Sequence, residues 1–365
     1  MKERSHWGAI FLLVLLPGVI LAWAGSALGL APWVFRLESP LHCEPATSCY
    51  VMNYVDHDQG PGARDFLGGG LTYNGHNGTD FRVPLEAMRA GFPVLAASAG
   101  RVSRVVSWEP DATPEAVAQR TDTSDRHKFQ PNVVLLDHGG GWETEYAHLR
   151  QGSVRVSPGQ DVEAGQVLGL VGLSGWTSFP HLHFEVRFQG RPVDPFVGLT
   201  VDWPGQVKGP LWTPAALAAW PTGLVRELSS GFSEAVPDVK AMLWGVDHPA
   251  SAHPTGKALV YWIRLLGPWR GDEVAISLLG PAGQVMGVRQ NRYDHSGPVA
   301  AEYVGMALEG VPAWPPGNYT GHWVLRRTDL HGHTREFRGQ HSLEMPEVDT
   351  TLGVGPGQKK AGKMR

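Results

Sequence analysis

Three short stretches, far apart in a chain of 365 residues, carry side chains that can hold and use a metal ion. GHNGTDF, 75–81, sets His76 and Asp80 four positions apart between glycines. PHLHFEV, 180–186, sets His181 and His183 one residue apart, and ETEYAHLR, 143–150, adds His148. A catalytic zinc takes three protein ligands from histidine and carboxylate and keeps a fourth position open for water. His76, Asp80 and one histidine of the 181/183 pair would supply that set. The two remaining histidines would then lie near the metal without binding it, where a hydrolase needs groups that move protons and steady a developing oxyanion. Use of all four histidines as ligands would close the site and make the metal structural.

These side chains need elements that aim them at one point. HLHFEVRF has the bulky alternation of a strand, which puts His181, His183, Glu185 and Arg187 on one face and Leu182, Phe184, Val186 and Phe188 on the other. The apolar face is expected to pack inward and leave two imidazoles side by side on a polar surface. ETEYAHLR reads as a second strand, with Thr144, Tyr146 and His148 on one face. The spacing of His76 and Asp80 would suit a helix, but Gly75 and Gly78 oppose one there. A tight turn running into a strand is expected instead, with the glycines letting the backbone bend.

The segment from about Gly68 to Phe196 resembles the lysostaphin-type zinc metallopeptidases, exported enzymes that cut peptide bonds in bacterial cell-wall peptidoglycan. The family's marks are His-x-x-x-Asp, then Tyr-x-His-Leu, then Pro-His-Leu-His-Phe-Glu; this chain has HNGTD, YAHL and PHLHFE in that order. GRVSRVV, LDHGGGWETEYAHL, VSPGQDVEAGQVLGLVGLSG and GRPVDPF extend the match across the domain. The resemblance implies that His76, Asp80 and His183 bind zinc and that His148 and His181 are the non-ligand catalytic pair. One of the pair would take a proton from water and the other would hydrogen-bond the oxyanion, with His181 favoured as the base because its neighbour two residues on is a ligand. It also implies a mainly β fold in which an antiparallel sheet lies beneath an open groove. SGWTSF before the last motif and a long insertion at 107–131 depart from the family and bear on specificity.

The function that follows is an exported zinc endopeptidase acting on peptidoglycan cross-links. The alternative is a catalytically silent binding module of the same fold that activates another cell-wall hydrolase; such modules usually lack a ligand, and this chain lacks none. A glycosidase would require a paired-carboxylate site, which nothing singles out. A cupin-type His-x-His would precede its other ligands, whereas here the pair comes last. Glu185 and Arg187 read as an ion-paired strand surface, His138 as structural, and Asp194 as the organiser of a turn. Trp142 and Trp176 could equally line the groove or enter the core.

The 31 Lys and Arg against 35 Asp and Glu leave no basic footprint, so no nucleic-acid partner is expected. Glycine (46) and proline (29) point to many short strands. Lys2 and Arg4 precede an uncharged stretch from Trp7 to Trp33, so 1–33 reads as a signal peptide or a membrane anchor. Either outcome sends the remainder across the membrane, to the periplasm or cell envelope, with any membrane contact made through an uncleaved anchor. Residues 34–67 form a lead-in in which Cys43 and Cys49 are expected to pair locally. The metallopeptidase domain is set at 68–200, a linker with short packed elements at 201–252, a small immunoglobulin-like β-sandwich at 253–345, and a disordered tail at 346–365.

Overall fold

The computed structural model describes residues 35–43, 49–112, 129–177, 179–198, 209–243, 248, 250–328 and 332–347. The N-terminal apolar stretch, the middle of the insertion and the tail from 348 onward lie outside them. No helix among the described residues is long and apolar enough to cross a membrane.

The chain is mainly β. In its first half, β1 (Tyr50–Asn53) and β2 (Thr79–Arg82) are followed by β3 (Pro93–Leu95), β4 (Gly100–Val106), β5 (Val133–Asp137) and β6 (Trp142–Ala147). Then come β7 (Asp161–Val162), β8 (Val167–Leu170), β9 (His181–Phe188) and β10 (Arg191–Val193). Among the described residues, the order β1-β2-β9-β6-β5-β4-β7, with β10 also on β9, makes one antiparallel sheet of eight strands; β3 and β8 pair separately. Strand β9 is central because its alternation serves both faces. Leu182, Phe184 and Val186 are fully buried with Phe81, Leu136 and Tyr146 in the main core, while His181 and His183 face the other way. Trp212 and Trp220, at the two ends of a short helix at Pro214–Ala219, pack on Phe81 beneath the sheet. Thr213 caps that helix by accepting the amide of Ala216.

Direct partners on neighbouring strands share a face, so register assigns each side chain. Asp80 lies opposite His183 and Arg82 opposite His181. Tyr146 lies opposite Phe184 and Thr144 opposite Val186. Of the three side chains expected on one face, Thr144 and Tyr146 do share one, which points into the core and is fully buried. Strand β6 ends at Ala147, and His148 takes the left-handed conformation at φ 60°, which turns it out of the alternation.

The stretch read as a lead-in supplies β1, an edge strand, and sends Phe35, Leu37, Leu41 and Val51 into the main core. Cys43 and Cys49 are bridged just ahead of that strand, with their Cα atoms 5.7 Å apart.

Later in the chain come β11 (Arg226–Ser233), β12 (Ala258–Leu266), β13 (Glu273–Leu279), β14 (Val285–Arg292), β15 (Val299–Ala307), β16 (Gly317–Thr328) and β17 (Thr334–Met345). They form a sheet β11-β12-β15 and a sheet β14-β13-β16-β17, which share a second core built on Tyr261, Ile263, Ile276, Tyr319 and Trp323. Five of these strands coincide with apolar, alternating runs of the sequence: ALVYWIRLL (258–266), EVAISLL (273–279), AAEYVGMAL (300–308), YTGHWVLRR (319–327) and TREFRGQHSL (334–343). Strands β11 and β14 escaped because they are edge strands with little inward alternation; β14 is exposed at most of its positions.

Tyr146 also supports the sheet through its hydroxyl, which accepts the amide of the buried Ala97 at 2.8 Å and lies 3.2 Å from the hydroxyl of Thr144. His138 joins this group through Thr144 Oγ1 at 2.8 Å and the carbonyl of Ala99 at 2.7 Å, as a structural histidine would. Tyr146→Phe is expected to leave the Ala97 amide without an acceptor and lower unfolding free energy by about 1–3 kcal/mol in urea titration. Metal binding should be unchanged.

Candidate metal centre

His76 closes the long loop between β1 and β2, with its carbonyl accepting the amide of Asp56 at 2.7 Å. Its Nδ1 donates to the carbonyl of Tyr54 at 2.7 Å, which leaves Nε2 with a lone pair. Asp80 follows on β2, with His183 across from it on β9. Three atoms meet there. His76 Nε2 is 3.1 Å from Asp80 Oδ1 and 3.2 Å from His183 Nδ1, and His183 Nδ1 is 2.9 Å from Asp80 Oδ1. Asp80 Oδ2 is occupied elsewhere, accepting Asn53 Nδ2 at 2.8 Å. The other carboxylate oxygen is thereby directed at the two imidazoles.

Gly78 makes this approach feasible. A Cβ at that position would lie 2.7 Å from His183 Cε1 and Nε2 and 2.8 Å from the carbonyl of Phe184. Gly75, at φ 75°, supplies the turn ahead of His76. The expected turn-into-strand is thus present, with separate tasks for its two glycines.

The donor set suits a divalent cation. Ligand atoms roughly 2.0–2.1 Å from a tetrahedral ion lie about 3.3–3.4 Å from one another, close to the three separations here. Burial would push the Asp80 carboxyl up, but His76, His181 and His183 more than offset it and hold the group well below the usual carboxylate range. Burial disfavours charge on His183 as well, yet its hydrogen bond to Asp80 raises it above the ordinary imidazole value. The pair thus favours positive charge where the three atoms meet. Of the two histidines left open by the spacing, His183 completes the group; His181 Nε2 stands 3.5 Å from Asp80 Oδ1.

His148 and His181 lie beside this group with ring centroids 4.5 Å apart. His148 Nδ1 donates to the carbonyl of Ser174 at 2.8 Å, and His181 Nδ1 to that of Phe179 at 2.9 Å, with Thr177 Oγ1 at 3.1 Å. Both neutral rings therefore keep a lone pair on Nε2. Burial pushes His148 down to about 3 and also lowers His181, so both are neutral at neutral pH.

Several supports had no signal in the motifs. Asn53 and the Tyr54 carbonyl come from the stretch read as a lead-in, and only the register of β1 against β2 reveals them. The described ends of the insertion brace the opposite side. Asn132 bonds the backbone of Glu109 and the carbonyl of Leu149, and Asp111 accepts the amides of Gln151 and Leu173. Glu185 and Arg187 form an ion-paired network with Glu145. Asp194 accepts the amide of Phe196, as a turn organiser would, and pairs with His57 at 2.9 Å. Trp142 is a core residue stacked on Phe35, and Trp176 contacts Phe129.

Two substitutions test this geometry. Gly78→Ala should displace the His183 ring and weaken divalent-metal binding while the protein stays folded. Asn53→Ala, which frees Asp80 to turn, should cost about 10–100-fold in metal affinity by chelator competition. Metal affinity equal to the parent's in both would refute the arrangement.

Residues 74–195 match Peptidase family M23. A 119-residue segment is 34% identical to the peptidoglycan DD-endopeptidase ShyB of Vibrio cholerae, over 33% of this chain and 22% of that protein. The chain thus spans well under half the length of that curated relative. Among solved structures, a zinc-containing peptidase from Vibrio cholerae is 28% identical over 44% of this chain and 39% of its own, with a TM-score of 0.30. The catalytic domain of lysostaphin from Staphylococcus simulans is 24% identical over 39% of this chain and 85% of its own, with a TM-score of 0.26. The motifs HNGTD, YAHL and PHLHFE all fall inside residues 74–195, the span that matches Peptidase family M23.

Proposed function

We propose that this chain is an exported, zinc-dependent endopeptidase that hydrolyses peptide cross-links of bacterial peptidoglycan. One observation carries the reading: His76, Asp80 and His183 converge on a single point, with two further imidazoles beside them that keep lone pairs on Nε2. The name of the Vibrio relative, a peptidoglycan DD-endopeptidase, supports the substrate class. The basic N-terminus followed by an apolar stretch supports an envelope location, as a signal peptide or an inner-membrane anchor.

In this reading His76 Nε2, Asp80 Oδ1 and His183 Nδ1 hold the metal, and Asn53 and Tyr54 fix the directions of two of these ligands. Zinc, when bound, supplies a Lewis acid for the scissile carbonyl and lowers the pKa of water. His181, whose Nε2 is near the ligand atoms, accepts the proton of the attacking water. Its anchored Nδ1–H means that Nε2 can donate only after that transfer, so the proton gained is the one delivered to the leaving amine. His148 is held in the same tautomer, so its neutral ring has no free N–H for the oxyanion; its Nε2 lone pair instead accepts a hydrogen bond from the attacking water and orients it. The left-handed conformation of His148 costs about 1–3 kcal/mol and buys its orientation toward the site.

The test is digestion of purified sacculi, with mass analysis of the released peptides. Zinc-loaded protein should release fragments cut at peptide bonds, and chelation should stop it. His148→Ala and His181→Ala should each retain zinc and lose roughly 10²–10⁴-fold in turnover. Loss of the metal in either variant would mean the ligands are wrongly assigned. Zinc-loaded parent protein that releases nothing would favour the silent binding module.

A further inference from the structure

The run Gly68-Gly69-Gly70 lies in the same loop that ends in His76, yet the proposed chemistry does not use it. Gly68 has φ 83°, and the surroundings explain the other two glycines. A Cβ on Gly69 would overlap the indole of Trp269, and one on Gly70 would overlap the side chain of Ser296. Trp269 lies between β12 and β13, and Ser296 between β14 and β15, so both contacts come from turns of the C-terminal sandwich. Gly69 does not need positive φ, so packing rather than backbone conformation excludes a side chain there.

Trp269 is held rigidly on its own side. Its amide donates to Asp272 Oδ2 at 2.8 Å, and the Arg327 guanidinium lies 4.1 Å from the centre of one of its rings. Arg327 in turn bonds both carboxylate oxygens of Asp272 and the carbonyl of Gly267, and both charged residues are buried. On the loop side, the Asp65 carboxylate accepts the amides of Leu67, Gly69 and Leu71 at 2.8–3.0 Å. The carbonyl of Leu71 then accepts the amide of Tyr54 at 2.6 Å, and the carbonyl of Tyr54 accepts His76 Nδ1. Leu71 and Leu266 of β12 also share the main core.

We propose that the C-terminal sandwich braces the metal centre, with Trp269 a positioning residue that seats the glycine turn and, through Asp65, Leu71 and Tyr54, sets the ring of His76. The inference rests on the reading of His76 as a metal ligand. It makes the sandwich an integral part of the centre rather than a detachable wall-binding module.

The full chain is compared with Trp269→Ala, Trp269→Phe, Gly69→Ala and the Gly69→Ala/Trp269→Ala double variant. Two readouts are used: zinc retention against a chromogenic chelator, and hydrogen exchange at the Tyr54, Gly69 and Leu71 amides of the zinc-free protein. Gly69→Ala and Trp269→Ala should each weaken zinc retention about tenfold, the scale of lost outer-shell support, and speed exchange at those amides. Trp269→Phe should behave like the parent, and the double variant should be no worse than the weaker single one, because both changes act on one contact. Gly69→Ala leaves every residue of the sandwich intact, so it separates loosening of the loop from unfolding of the sandwich. Parent-like exchange and zinc retention in folded Gly69→Ala and Trp269→Ala, or additive losses in the double variant, would overturn the brace. A parent protein that binds no zinc would instead overturn the metal reading, and the exchange data would still judge the brace.

Discussion

A buried, ionised carboxylate is the constraint around which the first half of the chain is arranged. Asp80 is almost fully buried, and a charge taken out of water is tolerated only when groups of opposite polarity replace the lost solvent. His183 and the Asn53 amide bond it directly, His76 Nε2 stands 3.1 Å from it, and His181 adds its field. They come from three places: β1, the loop after it, and β9. Because Asp80 and His183 are direct cross-strand partners, a slip of one residue between β2 and β9 would send one of them to the core face. The apolar face of β9, with Leu182, Phe184 and Val186 fully buried, resists that slip. Core packing beneath the sheet therefore holds the polar arrangement above it.

The same economy governs the histidines. His76, His148 and His181 all use Nδ1 on a backbone carbonyl, so three ring orientations and three tautomers are set by main-chain atoms of Tyr54, Ser174 and Phe179. Backbone acceptors survive substitution of the residue that carries them, whereas side-chain acceptors do not. The reliance on main chain moves the burden to the loops, which must hold their carbonyls in place. Asn132 and Asp111 do this beside His148, and Asp65 does it behind His76.

The C-terminal sandwich enters this economy through shape. At its contact with the glycine turn, the indole of Trp269 occupies the space a side chain at position 69 would need. Steric seating of this kind transmits position without adding charge near a centre whose electrostatics are already finely balanced.

By itself, the sequence determined the residue types, their order and the periodicity of single strands. HNGTD, YAHL and PHLHFE carried the family, and alternation along β9 separated its core face from its histidine face, because side-chain direction in a strand is a local property. Five sandwich strands were legible for the same reason, whereas β14, beyond the GPAG turn at 280–283, was not. The choice of His183 over His181 was not readable from spacing, since it depends on the register between strands that lie about a hundred residues apart. The direction of His148 was hidden in a single backbone angle that reverses the strand pattern. Asn53, the Tyr54 carbonyl and Trp269 left no mark because their roles exist only after distant segments have packed. Tertiary structure decided these points, because convergence is a relation between elements and periodicity is a property of one.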